Sequence, residues 1–169
     1  MKRICRCLVG VLTLATFPAF AGSACYTPAE TQAENLLRLH SELMVVTVTC
    51  RQGSEGQDLP AAYGAFTKKN ITVLHDAEQT LIAYYQAHVK GDALDHLDQL
   101  RTKLGNEFGQ KAADMSSPQF CATYRDKVLQ FETASSSDVE NEAQRMAIAG
   151  HSYVKPCAVT FVSDVKKGG

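Results

Sequence analysis

Four cysteines and one histidine carry the most reactive side chains of this 169-residue chain. Cys25, Cys50, Cys121 and Cys157 follow an apolar N-terminal segment, and His151 lies six residues before the last of them. A thiolate beside an imidazole can act as a nucleophile, so Cys157 and His151 form a candidate catalytic pair. An even number of cysteines in an exported chain is expected to pair instead. We therefore favour two disulfides over thiol catalysis.

Two histidines and two aspartates form the second candidate site, at His88, Asp92, Asp95 and His96. Carboxylate oxygens and imidazole nitrogens together bind several divalent ions. Acidic residues in the first turn of a helix also stabilise its positive end, and the spacing here matches no established ligand pattern. We therefore expect neither a metal nor another cofactor, and we keep metal binding at these residues as an alternative function.

The sequence lacks the motifs of several enzyme classes. It contains no CxxC pair for thiol exchange, no HExxH zinc motif and no GxxxxGK[ST] phosphate loop. No run of Lys or Arg exceeds two residues, whereas nucleic-acid binding requires a basic surface. These observations predict a non-enzymatic protein without a nucleic-acid partner.

The N-terminal segment is typical of a secretory signal peptide. Basic residues precede an apolar run at residues 8–17, and Ala19-Phe20-Ala21 fits the small-x-small cleavage pattern. The run is much shorter than the ~20 residues that span a bilayer. We predict a signal peptide at residues 1–21 and a periplasmic or secreted product. As an alternative, the sequence before Cys25 resembles a bacterial lipobox, in which this cysteine is acylated and anchors the protein to a membrane.

Residues 22–169 are predicted to form a single domain. They retain all 18 acidic residues but only 14 of the 17 basic ones, because Lys2, Arg3 and Arg6 leave with the signal peptide, so the net charge is −4. A chain of this length can bury a sizeable core. No later apolar run is long enough to predict a transmembrane helix. Residues 158–169 are predicted to be a flexible or short β-prone tail.

Apolar residues recur at helical spacing along the domain and predict its elements. The first helix begins at Thr27-Pro28-Ala29-Glu30, which supplies a capping hydroxyl, an early proline and a capping-box glutamate. Its apolar stripe consists of Leu36, Leu39, Leu43, Val46 and Cys50. The β-branched run from Val45 to Thr49 leaves a strand as an alternative for the end of this helix.

Four further stripes predict the remaining helices. They begin near Pro60, Asp92, Ser117 and Ser137, and the first of them contains a break near Lys69-Asn70. The predicted fold is therefore all-α, a compact bundle of about five helices held together by two disulfides.

The first helix restricts how the cysteines can pair. A continuous helix would separate Cys25 from Cys50 by about 37 Å, whereas bridged Cα atoms lie only ~4.4–6.8 Å apart. In an up-down bundle, Cys50 and the start of the fourth helix lie at the same end. We therefore favour Cys50–Cys121 with Cys25–Cys157. The alternative, Cys25–Cys50 with Cys121–Cys157, requires the first helix to stop near Leu43.

Two adjacent tyrosines suggest an interaction surface. Tyr84 and Tyr85 lie on the second predicted helix and cannot both face the same core. We predict that one of them is exposed and contacts a partner.

Three segments carry a resemblance to other proteins. Cys25-Tyr26-Thr27-Pro28, the stretch LRLHSELM at 37–44, and Phe120-Cys121 with Tyr124 resemble uncharacterised secreted helical proteins of alphaproteobacteria. This resemblance implies export and helices. The predicted function is a non-enzymatic binding or chaperone-like module of the cell envelope, with a protein or another envelope component as its partner. The alternatives are a thiol-dependent enzyme and a metal-binding protein.

Overall fold

A computed structural model describes residues 25–51 and 58–158 of the chain. The predicted signal peptide and all of the predicted tail except Ala158 lie outside these residues. The described residues form six α-helices: α1 Pro28–Thr49, α2 Leu59–Lys69, α3 Ile71–His88, α4 Ala93–Asp114, α5 Ser117–Glu132 and α6 Ser136–Ile148. No β-strand occurs within the described ranges, so the predicted all-α class is confirmed.

The first helix is the centre of the bundle. Its predicted start is confirmed, because the Thr27 hydroxyl accepts from the Glu30 amide while the Glu30 carboxylate accepts from the Thr27 amide. It continues to Thr49, so the predicted strand alternative for this segment is not formed. Each of the other five helices packs against α1. This tertiary burial outweighs the weak helix propensity of the β-branched residues.

The second predicted helix is divided into α2 and α3 at Asn70. This residue is fully buried, and its side-chain amide donates to the carbonyls of Phe66 (3.0 Å) and Ala134 (3.4 Å). The Ala134 contact ties the junction between α2 and α3 to the junction between α5 and α6. The division gives the bundle its sixth helix.

Short polar side chains begin the later helices. The Asp92 carboxylate accepts from the amides of Leu94 (2.8 Å) and Asp95 (3.1 Å) at the start of α4. Ser116 and Ser135 cap α5 and α6 in the same manner. These bonds satisfy amides that the first turn of a helix leaves without partners.

Both favoured disulfides are present. Cys25 is bonded to Cys157 with Cα atoms 5.0 Å apart, and Cys50 is bonded to Cys121 with Cα atoms 5.4 Å apart. The alternative pairing is not formed, because α1 runs unbroken between Cys25 and Cys50 and holds them apart. None of the helices in the described ranges is long and apolar enough to cross a membrane.

Candidate functional site

A buried ion pair lies on the first half of α1. Glu34 is 0% exposed and Arg38 only 3% exposed, although both are charged residue types. Arg38 Nη2 donates to Glu34 Oε1 at 3.2 Å, one helical turn apart. The guanidinium also pairs with Glu107 of α4. Burial of charge is costly unless the charges are paired, so these three side chains must be considered as one cluster.

Tyr153, which follows α6, covers this cluster. Its backbone amide donates to Glu34 Oε1 at 2.8 Å, and its hydroxyl donates to Glu107 Oε2 at 2.8 Å. The Arg38 guanidinium lies 4.8 Å from the centre of the Tyr153 ring, and the Lys103 ammonium lies 3.5 Å from it. Both distances are typical of cation–π contacts.

Several polar atoms of this region have no hydrogen-bond partner. They are Glu34 Oε2, Arg38 Nε, Asn35 Oδ1 and the Tyr26 hydroxyl. The Tyr26 hydroxyl is near enough to Glu34 and Tyr85 to affect their pKa values, but it forms a hydrogen bond of standard geometry with neither. Because buried polar groups are nearly always paired, a carboxylate oxygen without a partner at this depth is unusual.

A cavity of about 190 Å³ adjoins the cluster, and we call it the Glu34 cavity. Its wall is formed by α1, α3, α4 and the segments that the Cys25–Cys157 disulfide joins. The lining residues are Tyr26, Glu34, Tyr85, His96, Gln99, Leu100, Lys103, Tyr153 and Val154. The cavity thus combines three tyrosines with one buried carboxylate and one lysine.

The pKa directions follow from burial and pairing. Burial raises the pKa of Glu34, and the Tyr153 amide and Arg38 only partly offset this effect. Burial alone would lower the pKa of Arg38, but Glu107 and Glu34 together raise it. Burial would raise the pKa of Glu107, yet the Tyr153 hydroxyl and Arg38 lower it overall. Glu107 is therefore the more firmly ionised partner of Arg38.

A second polar pair lies further along α1. His40 Nε2 and the Tyr63 hydroxyl are 2.7 Å apart, and their rings are stacked with centres 5.6 Å apart. Burial lowers the pKa of His40, with a further lowering by Arg101 and an opposing effect of Glu78. A cavity of about 430 Å³ opens beside His40. Its lining residues are His40, Thr67, Lys68, Ile71, Leu74, His75 and Glu78.

The predicted thiol pair is not present in this structure. The sulfur of Cys157 is bonded to Cys25, and it is therefore neither a thiol nor a thiolate. His151 is exposed. It follows Gly150, whose φ of 81° prevents the helical conformation from continuing beyond α6. Thiol chemistry at Cys157 would first require reduction of this disulfide.

Three of the four predicted metal ligands have other contacts. Asp92 caps α4, and His96 Nε2 lies 2.9 Å from the Lys90 carbonyl. The His88 ring lies 4.9 Å from that of Tyr84. Within residues 25–51 and 58–158, no group of three or more His, Cys, Asp or Glu side chains could hold a metal ion.

The prediction that Tyr84 or Tyr85 is exposed is wrong. Tyr84 is 3% exposed and packs edge-on against Tyr26, with ring centres 4.6 Å apart. Tyr85 is 9% exposed and lies 5.4 Å from the His96 ring. Neighbouring residues on a helix point in different directions, but α3 packs against both α1 and α4, so each tyrosine meets a buried surface. Tyr85 instead lines the Glu34 cavity.

Five residues of the site were not predicted from the sequence: Glu34, Arg38, Lys103, Glu107 and Tyr153. Glu34 and Arg38 stand four residues apart, which on an ordinary amphipathic helix indicates a solvent-facing ion pair. A signal was present in Leu37, an apolar residue that widens the predicted stripe of α1. It lies between the two charges and is 1% exposed, which indicates that this side of the helix is also covered.

Comparison with protein-family models, with curated proteins and with solved structures finds no match to this chain. The site's own chemistry therefore has to support any functional proposal.

Proposed function

We propose that this protein is an exported, non-enzymatic binding module of the cell envelope, and that it binds a small ligand in the Glu34 cavity. The observation that carries this proposal is the Glu34 carboxylate. One of its oxygens accepts two hydrogen bonds, while the other accepts none although the residue lines a cavity. A buried polar group without a partner costs about 1–3 kcal/mol. A ligand that donates to Oε2 would recover this free energy, and because Glu34 is 0% exposed it would have to displace the side chains that cover the carboxylate.

The surroundings of Glu34 support binding. Arg38 and the Tyr153 amide hold the carboxylate in a fixed position, so a ligand would meet a pre-organised acceptor. The tyrosines of the wall offer flat apolar faces as well as hydroxyl groups. The cavity is smaller than the ~300–1,000 Å³ of typical drug-sized sites, which favours a ligand of few atoms.

Export is supported by two observations. The protein contains two disulfides. Disulfides persist in oxidising compartments and are rare in the cytosol. The N-terminal segment has the charge, the apolar run and the small residues typical of a signal peptide. The expected product of fractionation is a periplasmic protein that begins at Gly22. A retained signal peptide, or a lipid mass on Cys25, would contradict this part of the proposal.

The ligand proposal is tested by protein-observed NMR with a library of small polar molecules at millimolar concentration. We expect at least one compound class to shift the backbone amides of Gln99, Lys103 and Tyr153, and to be recovered unchanged after incubation. A library that leaves these amides unshifted overturns cavity binding. Conversion of a bound compound to a product overturns the non-enzymatic assignment.

A further inference from the structure

We propose that the ligand of the Glu34 cavity is a small zwitterion of the size of an α-amino acid, with an ammonium group bound at Glu34 and a carboxylate bound at Lys103. This inference rests on the proposed function, because it names the class of ligand for the same cavity. Its basis is the presence of two opposite charges in the wall of one small cavity: a buried carboxylate with an unpaired oxygen, and an exposed ammonium.

Glu34 determines the first half of the ligand. When the carboxylate is ionised, its Oε2 accepts hydrogen bonds and donates none, so the ligand group must be a donor. An ammonium group is the strongest such donor, because the hydrogen bond is assisted by charge. The Tyr26, Tyr85 and Tyr153 rings in the wall also favour a cation.

Lys103 determines the second half. Its ammonium rests on the Tyr153 ring, and it forms no ion pair with any carboxylate of the described residues. By contrast, Lys111 on the same helix lies 3.6 Å from Glu107, and Arg38 pairs with both carboxylates of the cluster. Lys103 is thus the cation in the cavity wall that remains available to an anionic ligand group.

The two charges together exclude simpler ligands. A ligand with only a positive charge would be repelled by Lys103, and one with only a negative charge would be repelled by Glu34. A zwitterion pairs with both and leaves the total charge of the site unchanged. The volume of about 190 Å³ limits the molecule to a small amino acid rather than a peptide.

The test is isothermal titration calorimetry with L-alanine, methylammonium and acetate. We expect L-alanine to bind the wild-type protein at least tenfold more tightly than either singly charged compound. Lys103→Met is expected to weaken L-alanine binding at least tenfold and to strengthen methylammonium binding, because the variant removes the ammonium that repels this cation. Because Lys103 is exposed, this variant is expected to fold, and circular dichroism checks that it does. Lys68→Met, an exposed lysine beside the other cavity, is the matched control and is expected to retain L-alanine binding.

The outcomes separate this inference from the proposed function. Equal binding of L-alanine by the wild type and Lys103→Met overturns the zwitterion, as does tighter binding of methylammonium than of L-alanine. In both cases a ligand still occupies the cavity, and the proposed function stands. If none of the three compounds binds, the zwitterion is overturned, and the broader NMR library decides separately whether the cavity binds any ligand.

Discussion

At the scale of single residues, the charges of Glu34, Arg38 and Glu107 are interdependent. Removing one partner of a buried pair leaves the other charge uncompensated, whereas replacing the pair by apolar residues can be nearly neutral. We therefore predict that Arg38→Met lowers the free energy of unfolding by about 3–5 kcal/mol. The double variant Glu34→Leu/Arg38→Met is expected to lose less than the two single variants added together. Urea denaturation of the wild type, the two single variants and the double variant measures these free energies of unfolding.

Arg101 provides the control for this prediction. It pairs with Glu78 and Asp98, but its side chain is 43% exposed. Exposed ion pairs contribute only about 0–1 kcal/mol, so Arg101→Met should have a small effect. Equal losses for Arg38→Met and Arg101→Met would contradict the interdependence of the buried charges.

The His40–Tyr63 pair leads to a prediction about pH. Burial lowers the pKa of His40 and raises the pKa of Tyr63 to about 12, so near neutral pH the tyrosine hydroxyl donates to an unprotonated imidazole. The unfolded chain binds a proton at His40 near pH 6.5, while the folded protein does so only at lower pH. Stability should therefore fall as the pH drops below about 6.5, by at most about 1.4 kcal/mol per pH unit.

Urea denaturation at pH 7 and pH 5 checks this prediction. The His40→Gln variant is expected to lose part of the difference in unfolding free energy between the two pH values. His75→Gln, at an exposed position on α3, controls for the loss of an imidazole as such. If the unfolding free energy of His40→Gln changes between pH 7 and pH 5 as much as that of the wild type, another group is responsible for the pH dependence.

At the scale of elements, the turn between α3 and α4 depends on a glycine. Gly91 has a φ of 108°, and a Cβ atom at this position would lie 3.3 Å from His96 Nε2. We predict that Gly91→Ala destabilises the protein by about 1–3 kcal/mol, because only glycine adopts this backbone conformation without strain. Gly64 lies within α2, and a Cβ atom there would meet nothing within 4 Å. Gly64→Ala should therefore stabilise by about 0.5–1 kcal/mol. Thermal unfolding that ranks the two variants in the opposite order would refute the argument.

At the scale of the whole molecule, the two disulfides hold opposite ends of α1. Cys25–Cys157 keeps Tyr26 beside the segment after α6, where the Tyr26 amide donates to the Lys155 carbonyl at 3.0 Å and the Cys157 amide donates to the Tyr26 carbonyl at 2.8 Å. Tyr26 on one side of this contact and Tyr153 and Val154 on the other side line the Glu34 cavity. The contact therefore helps to close the cavity. The Glu34 cavity therefore depends on the Cys25–Cys157 disulfide more than on the Cys50–Cys121 disulfide.

We predict that Cys25→Ser/Cys157→Ser lowers the free energy of unfolding by about 2–5 kcal/mol and removes the hydrogen-exchange protection of the amides at positions 26 and 157. Cys50→Ser/Cys121→Ser should cause a comparable loss of stability but retain that protection, since its disulfide lies at the other end of α1. Hydrogen exchange followed by NMR distinguishes the two variants. Retained protection in both would show that the Tyr26 contact does not need the disulfide.

Local physical chemistry was enough for much of the fold. The capping box at Thr27 and Glu30, the helical spacing of Leu36, Leu39 and Leu43, and the break at Asn70 all depend on residues within a few positions of one another. The length of α1 also excludes a bond between Cys25 and Cys50, but the choice between the two remaining pairings required an assumed up-down order of the helices. The helix features are written in the sequence, since they depend on backbone geometry and short-range spacing.

Only the tertiary structure decided what each face of a helix meets. Glu34 and Arg38 look like a surface pair in the sequence, and they are buried because five helices surround α1. Tyr84 and Tyr85 are both covered because α3 packs against two neighbours. Glu34, Lys103 and Tyr153 lie far apart in the chain, and the packing of α1, α4 and the segment after α6 brings them to one cavity. Burial and long-range proximity depend on the whole arrangement of helices, and no local pattern specifies them.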